Sequence, residues 1–278
     1  SGSERVPQPS RTRSELSIPP AMKQVKYSFG GAIDRFRPFF FAAALCLTTS
    51  LGAQSPFPDE GMPETDFRPI FDGRTLDGWT YDPVYWRVEE GCIVGEVTPE
   101  TLLERNSFII WRGDAPADFE LKMEYRVSAE GNSGINYRSS EVPGVPDALR
   151  GYQLDIDGQG EWTGQNYEER GRTFLALRGQ VSCVETGKKP YVVGSTGDKA
   201  ELFSQIDRDG WNECHVIARG HTLIHLINGH VMSVVVDDDP QERTSEGLIG
   251  MQVHVGPPMK IEFRNIRLKT DRKEVSGR

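Results

Sequence analysis

From Asp66 onward the chain has no sustained apolar stripe at helical spacing, and short alternating runs recur between Gly, Asp, Asn and Pro. In FELKMEYRV (119–127), Phe119, Leu121, Met123, Tyr125 and Val127 share one side of an extended chain while Glu120, Lys122, Glu124 and Arg126 share the other. HTLIHLINGH (221–230) contains Asn228-Gly229, a pair that tolerates the positive φ of a tight hairpin, and VMSVVVDD follows as the return strand. KIEFRNIRLK (260–269) alternates again and predicts a last strand that brings the chain back to a sheet. Roughly a dozen short strands with few helices predict an all-β domain over residues 66–270, a two-sheet antiparallel jelly-roll sandwich.

The segment before it reads differently. Residues 1–21 are rich in Ser, Pro and Arg, and Met22 opens a stretch bearing Lys23, Lys26, Arg35 and Arg37. An apolar run from Phe39 to Leu47 and small residues up to Ala53 complete the order of a secretory signal peptide in residues 1–53. The expectation is an exported protein, periplasmic or extracellular, whose mature chain begins near Gln54. The apolar run is too short to span a bilayer. A Pro-rich linker at 54–65 and a polar tail at 271–278 flank the sandwich.

With 41 acidic and 32 basic residues the net charge is −9, and no local basic patch offsets it, which disfavours a nucleic-acid partner. Cys92, Cys183 and Cys214 allow at most one internal bridge, to which no pairing is assigned, and none sits in a zinc-ligand spacing.

Candidate chemistry lies where alternating strands turn polar. In GYQLDIDG (151–158), Gln153, Asp155 and Asp157 stand opposite Tyr152, Leu154 and Ile156. Asn136 and Arg138 stand opposite Ile135 and Tyr137, and Gln252 and His254 opposite Met251, Val253 and Val255. A sandwich needs only one face of each sheet for its core, so these three polar sets could line one groove. The stretch EWTGQNYEERGR (161–172) gathers Trp162, Tyr167, Glu168, Glu169, Arg170 and Arg172. Aromatic faces beside planar carboxylates, amides and guanidinium groups suit carbohydrate, although a solvated loop of paired acids and arginines has the same composition.

FRPIFDGRTLDGW (67–79), FELKMEYRV with GNSGINYRS, GYQLDIDG with YEERGR, WNECHVIARGHTLIHLINGH (211–230) and GLIGMQVHVGPPMKIEFRNIRLK (247–269) resemble, in order, the 3-keto-disaccharide hydrolase family. The resemblance implies a concanavalin A-like sandwich of the lectin and glucanase type, secretion, and cleavage of glycosides oxidised to a ketone at C3, as a hydrolase or, as in some relatives, a 1,2-lyase. It also implies a separate sugar oxidoreductase acting upstream. Many members carry a glutamate before the glutamine of GYQLDID, and its absence here turns attention to Asp155.

A ketone at C3 acidifies the C2 hydrogen, so a base can remove it while an acid protonates the departing oxygen at C1. Asp155, Glu168 and His254 are the catalytic candidates. Arg138 and Arg170 would polarise the keto oxygen, and Asn136, Gln153, Glu169 and Trp162 would bind the sugar. Asp155, Glu168 and His254 are also chemically suited to a divalent metal, but no ligand spacing demands one and no cofactor is assigned. The alternative to an enzyme is a non-catalytic carbohydrate-binding module of the same fold.

Overall fold

The computed structural model describes residues 66–270. The predicted signal peptide, linker and tail lie outside the described residues. In chain order the strands are β1 (Arg68–Pro69), β2 (Trp79–Thr80), β3 (Trp86–Glu89), β4 (Cys92–Val97), β5 (Ser107–Trp111), β6 (Phe119–Val127), β7 (Asn132–Glu141), β8 (Leu149–Asp157) and β9 (Asn166–Glu169). There follow β10 (Thr173–Ala176), β11 (Gln180–Val184), β12 (Tyr191–Ser195), β13 (Asn212–Arg219), β14 (Thr222–Ile227), β15 (His230–Asp237), β16 (Leu248–Val253) and β17 (Met259–Thr270). One short helix, α1 (Lys199–Phe203), is capped by Asp198, whose carboxylate accepts from the Ala200 and Glu201 amides.

The strands form two sheets. The first runs β12-β11-β15-β14-β13-β6-β17-β4-β3, with β1 also on β17, and the second runs β10-β9-β8-β7-β16-β5-β2. The predicted last strand is β17, placed centrally between β6 and β4. Asn228 and Gly229 take φ of 50° and 79° and turn β14 into β15, the geometry that the Asn-Gly pair predicts. The sandwich departs from strict antiparallel pairing at β11, which runs parallel to β15. β11 reaches that edge through β10 of the other sheet rather than through a hairpin, so no tight turn imposes an antiparallel direction.

Alternation decides what is buried. Phe119, Leu121, Met123 and Tyr125 of β6 meet Ile135 and Tyr137 of β7 and Tyr152, Leu154 and Ile156 of β8 in one apolar core. Fully burying each such side chain contributes about 1.5–3 kcal/mol. The core also holds a polar joint between the sheets. His225 Nδ1 donates to the Gln165 carbonyl (3.1 Å), so Nε2 is left to accept from the Tyr137 hydroxyl (2.8 Å), to which Asn166 Nδ2 donates in turn (3.0 Å). Cys92, Cys183 and Cys214 are free thiols. No helix among the described residues is long and apolar enough to cross a membrane.

Candidate active site

All members of the three polar sets except Arg138 come together on the outer face of the second sheet. β7 and β8 pair with Asn132 opposite Asp157, Gly134 opposite Asp155 and Asn136 opposite Gln153, and directly paired residues point to the same side. β9 adds Tyr167 beside Gln153, and β10 adds Phe174 beside Tyr167. On the other flank Gly250 of β16 pairs with Asn136, and His254 follows Gln252 off the end of that strand, its amide donating to the Asn132 carbonyl (3.2 Å).

On this face lies a cavity of about 240 Å³ lined by Asn132, Gln153, Asp155, Trp162, Tyr167, Glu169, Phe174 and His254. Trp162 stacks on Phe174 (centroids 5.5 Å apart, 26° between planes), and Tyr167 meets Phe174 edge-on at 5.1 Å. Trp162 and Phe174 are 38% and 41% exposed, an aromatic wall left open to solvent.

Opposite the aromatics sits Asp155, 9% exposed. Burial pushes its carboxyl up to about 8, and the charges of Asp157 and Glu169 reinforce the shift against the Gln153 hydrogen bond. Gln153 Nε2 donates to Asp155 Oδ1 (2.7 Å), and Gln153 Oε1 accepts from Gln252 Nε2 (3.3 Å). Gly134 makes this arrangement fit: a Cβ there would stand 2.4 Å from the Gln153 carboxamide carbon. Glu169 is raised too, by burial, with Arg170 and His254 pulling it back. His254 directs Nδ1 to the Val255 carbonyl (2.6 Å), which leaves Nε2 for other partners.

Asp157, two residues on, serves a different end. Its Oδ1 accepts from the Trp162 and Thr163 amides and the Thr163 hydroxyl, each at 2.9 Å, and its Oδ2 from the Glu161 amide at 3.0 Å. From beneath, Arg178 donates to the Gly160 (2.6 Å) and Thr163 (2.8 Å) carbonyls. The turn that presents Trp162 is thus held by buried charges.

Several sequence expectations require correction. Arg138 does not face the cavity: a register shift follows Tyr137, Arg138 takes φ of 45°, and alternation fails there. Its guanidinium donates to the Ala117 and Gly220 carbonyls and to Asp118 instead. Glu168 lies on the core side of β9, opposite Tyr152, and is gripped by Arg172 (Nε to Oε2, 2.7 Å). Residues 166–169 are a strand and not part of a loop, so Glu168 and Glu169 point to opposite faces. The metal-binding trio of Asp155, Glu168 and His254 is therefore not assembled. Among the described residues no group of three His, Cys, Asp or Glu side chains is placed to hold a metal ion.

Arg170 sits in the β9–β10 turn with φ of 56°, outside the cavity lining, its Nε 3.8 Å from Glu169. Asn136 shares the outer face but is fully buried and does not line the cavity. Of the predicted residues, Gln153, Asp155, Trp162, Glu169 and His254 meet in one place. Tyr167, named in the 161–172 stretch but given no role, joins them, as do Asn132 and Phe174, which the sequence does not point to. Reading NYEE as a strand would have put Tyr167 beside Glu169, but Phe174 is fixed only by hairpin register.

A 3-keto-alpha-glucoside-1,2-lyase-like domain matches residues 66–269. A 3-keto-disaccharide hydrolase of Bacteroides thetaiotaomicron is 40% identical over 244 residues, which is 72% of this chain and 77% of that protein. Among solved structures, a Bacillus subtilis protein of unknown function with a galectin-like fold superposes with a TM-score of 0.50 at 11% identity, over 71% of this chain and 92% of that one. A carbohydrate-binding module from the same organism reaches 0.46 at 16% identity, over 69% and 96%. With its sandwich and a match spanning nearly every described residue, the chain belongs to the 3-keto-disaccharide hydrolase family.

Proposed function

We propose that this protein is a hydrolase that cleaves the glycosidic bond of 3-keto-glycosides, by elimination across C1 and C2 followed by addition of water. The observation that carries the reading is Asp155, a carboxyl buried without a cation partner and pushed up to about 8, facing an aromatic wall in an open cavity. Such a carboxylate is a stronger base than an ordinary aspartate and is matched to a proton made acidic by a neighbouring ketone. The name of the Bacteroides thetaiotaomicron relative supports the substrate class.

In this scheme the Asp155 carboxylate takes the C2 proton and the electron pair moves onto the C3 oxygen as an enolate. Asn132 and Tyr167, neutral donors in the lining, are the groups assigned to hydrogen-bond that oxygen. When the carbonyl re-forms, the C1–O bond breaks, C1=C2 forms, and His254, entering as the imidazolium with Nδ1–H on the Val255 carbonyl and its second proton on Nε2, protonates the departing oxygen. Water then adds hydroxide to C1 and a proton to C2, giving the free 3-keto-sugar. One water is consumed overall, and the substrate enters already oxidised at C3.

A binding module would use the same aromatic wall, but it gains nothing from a buried, uncompensated carboxyl. Turnover in heavy water separates the two readings. The expected result is release of the leaving group from a 3-keto-disaccharide, solvent deuterium at C2 of the product, and no action on the unoxidised disaccharide. Binding without turnover, or equal turnover of both sugars, overturns the reading.

A further inference from the structure

The cavity over Asp155 does not end at Trp162. A second lobe of about 320 Å³ opens beside it and shares three of its walls, Asn132, Trp162 and His254. Deep in the first lobe are Asp155, Gln153 and Glu169, and Tyr167 and Phe174 belong to that lobe alone. The second is bounded by the Ala129–Asn132 turn, Gln159, Glu161 and the Val255–Pro257 segment. His254 therefore stands at the junction, with its Nε2 uncommitted to the Val255 carbonyl that holds Nδ1.

We infer that the second lobe is the leaving-group subsite, and that it takes a neutral, polyhydroxylated unit such as a second sugar while rejecting an anionic one. This rests on the proposed function, because only a ring held over Asp155 and cleaved beside His254 projects its leaving group across that junction. The lining explains the chemistry. Gln159 spends its amide nitrogen on the Ala129 carbonyl (2.9 Å), which leaves its oxygen to accept a hydroxyl. Glu161 and Glu130 are solvent-exposed acceptors at the rim. Asp157 contributes a third negative charge, already committed to the turn. No Lys or Arg lines either lobe, so a carboxylate on the leaving group would meet three acids with only His254 to offset them. Trp162 borders both lobes, so one indole separates the two rings.

The test uses the full chain and three substrates with the same 3-keto ring: a methyl glycoside, a disaccharide ending in a neutral hexose, and one ending in a uronic acid. The expected order of kcat/KM is neutral disaccharide first and uronide at least about tenfold below it. Glu161→Gln and Glu130→Gln together should narrow that gap about three- to tenfold, by removal of like charge near the rim. Gln159→Ala should raise KM for the neutral disaccharide about three- to tenfold more than for the methyl glycoside, the loss of one hydrogen bond. Both sets of side chains are exposed, so folding is not at stake. If all three substrates are turned over but the uronide keeps pace, or the substitutions act equally on all three, the subsite assignment is wrong and the keto-dependent reading stands. If none is turned over, the reading itself falls and takes the subsite with it.

Discussion

The two faces of the second sheet bury carboxylates on opposite terms. On the core face, Glu168 is bridged by Arg172 to Asp237 of β15 in the facing sheet, with Tyr152 donating a further hydrogen bond to Asp237 at 2.6 Å. On the outer face, Asp155 receives one amide hydrogen bond and no cation, and Glu169 has Arg170 at 3.8 Å. The acids at 168 and 169 are sequence neighbours, yet one is locked into the architecture and the other opens onto a cavity. A buried acid with a guanidinium at hydrogen-bond distance holds elements together; one left to amides and apolar walls keeps its proton and remains available for chemistry.

Breaking the core-face arrangement has the largest expected effect. Arg172→Met leaves Glu168 and Asp237 without their cation and should cost about 3–5 kcal/mol, a fall in Tm of roughly 6–20 °C by scanning calorimetry. Asp157→Ala should cost about 2–4 kcal/mol in urea unfolding, because three amides and one hydroxyl lose a charged acceptor, and it should also weaken substrate binding by releasing the turn under Trp162.

Asp155→Asn sharpens the contrast from the other side. It should lower kcat by about a hundredfold or more while binding survives. It should also stabilise the fold in alkali by about 1–2 kcal/mol. The sign follows from the raised pKa: the wild-type contribution is full below the ordinary carboxyl pKa and is lost as pH rises through about 8, whereas asparagine has no charge to bury. For the same reason one limb of the wild-type kcat/KM profile should fall near pH 8, where Asp155 titrates, as read from a pH–rate profile. Trp162→Ala has the smallest expected effect, roughly five- to tenfold in KM with kcat nearly unchanged, since it removes a stacking surface and no reacting group.

How much of this could be read beforehand depends on where the backbone stays regular. β6 and β14 follow strict alternation, and the sequence pattern names their inward faces without knowledge of strand order, whereas β17 alternates only as far as Phe263 before Asn265, at φ of 51°, and a register shift move the buried set to Ile266 and Leu268. The site was legible where the same rule holds: Gln153 and Asp155 lie on a regular stretch of β8, and His254 just past β16. Arg138 was misplaced because the shift after Tyr137 swings it off the face its parity assigns, and parity cannot see a bulge. Glu168 was misplaced because four residues between two turns carry too little pattern to declare a strand. Asp157 looked equivalent to Asp155, and only the tertiary position of the 158–165 turn shows that its oxygens are taken.

The histidine between the sheets has a consequence for how the molecule comes apart. Burial holds His225 down to about 3, against an ordinary value of 6.5, so the folded protein excludes a proton that the unfolded chain binds readily. Its contribution to stability is complete above 6.5 and drains away as pH falls toward 3. Acid unfolding is in this respect a proton-uptake event with an address. It is driven from the Tyr137–His225–Asn166 joint, where a charged imidazole could no longer accept the tyrosine hydroxyl, so the two layers lose their shared polar contact at the moment they separate.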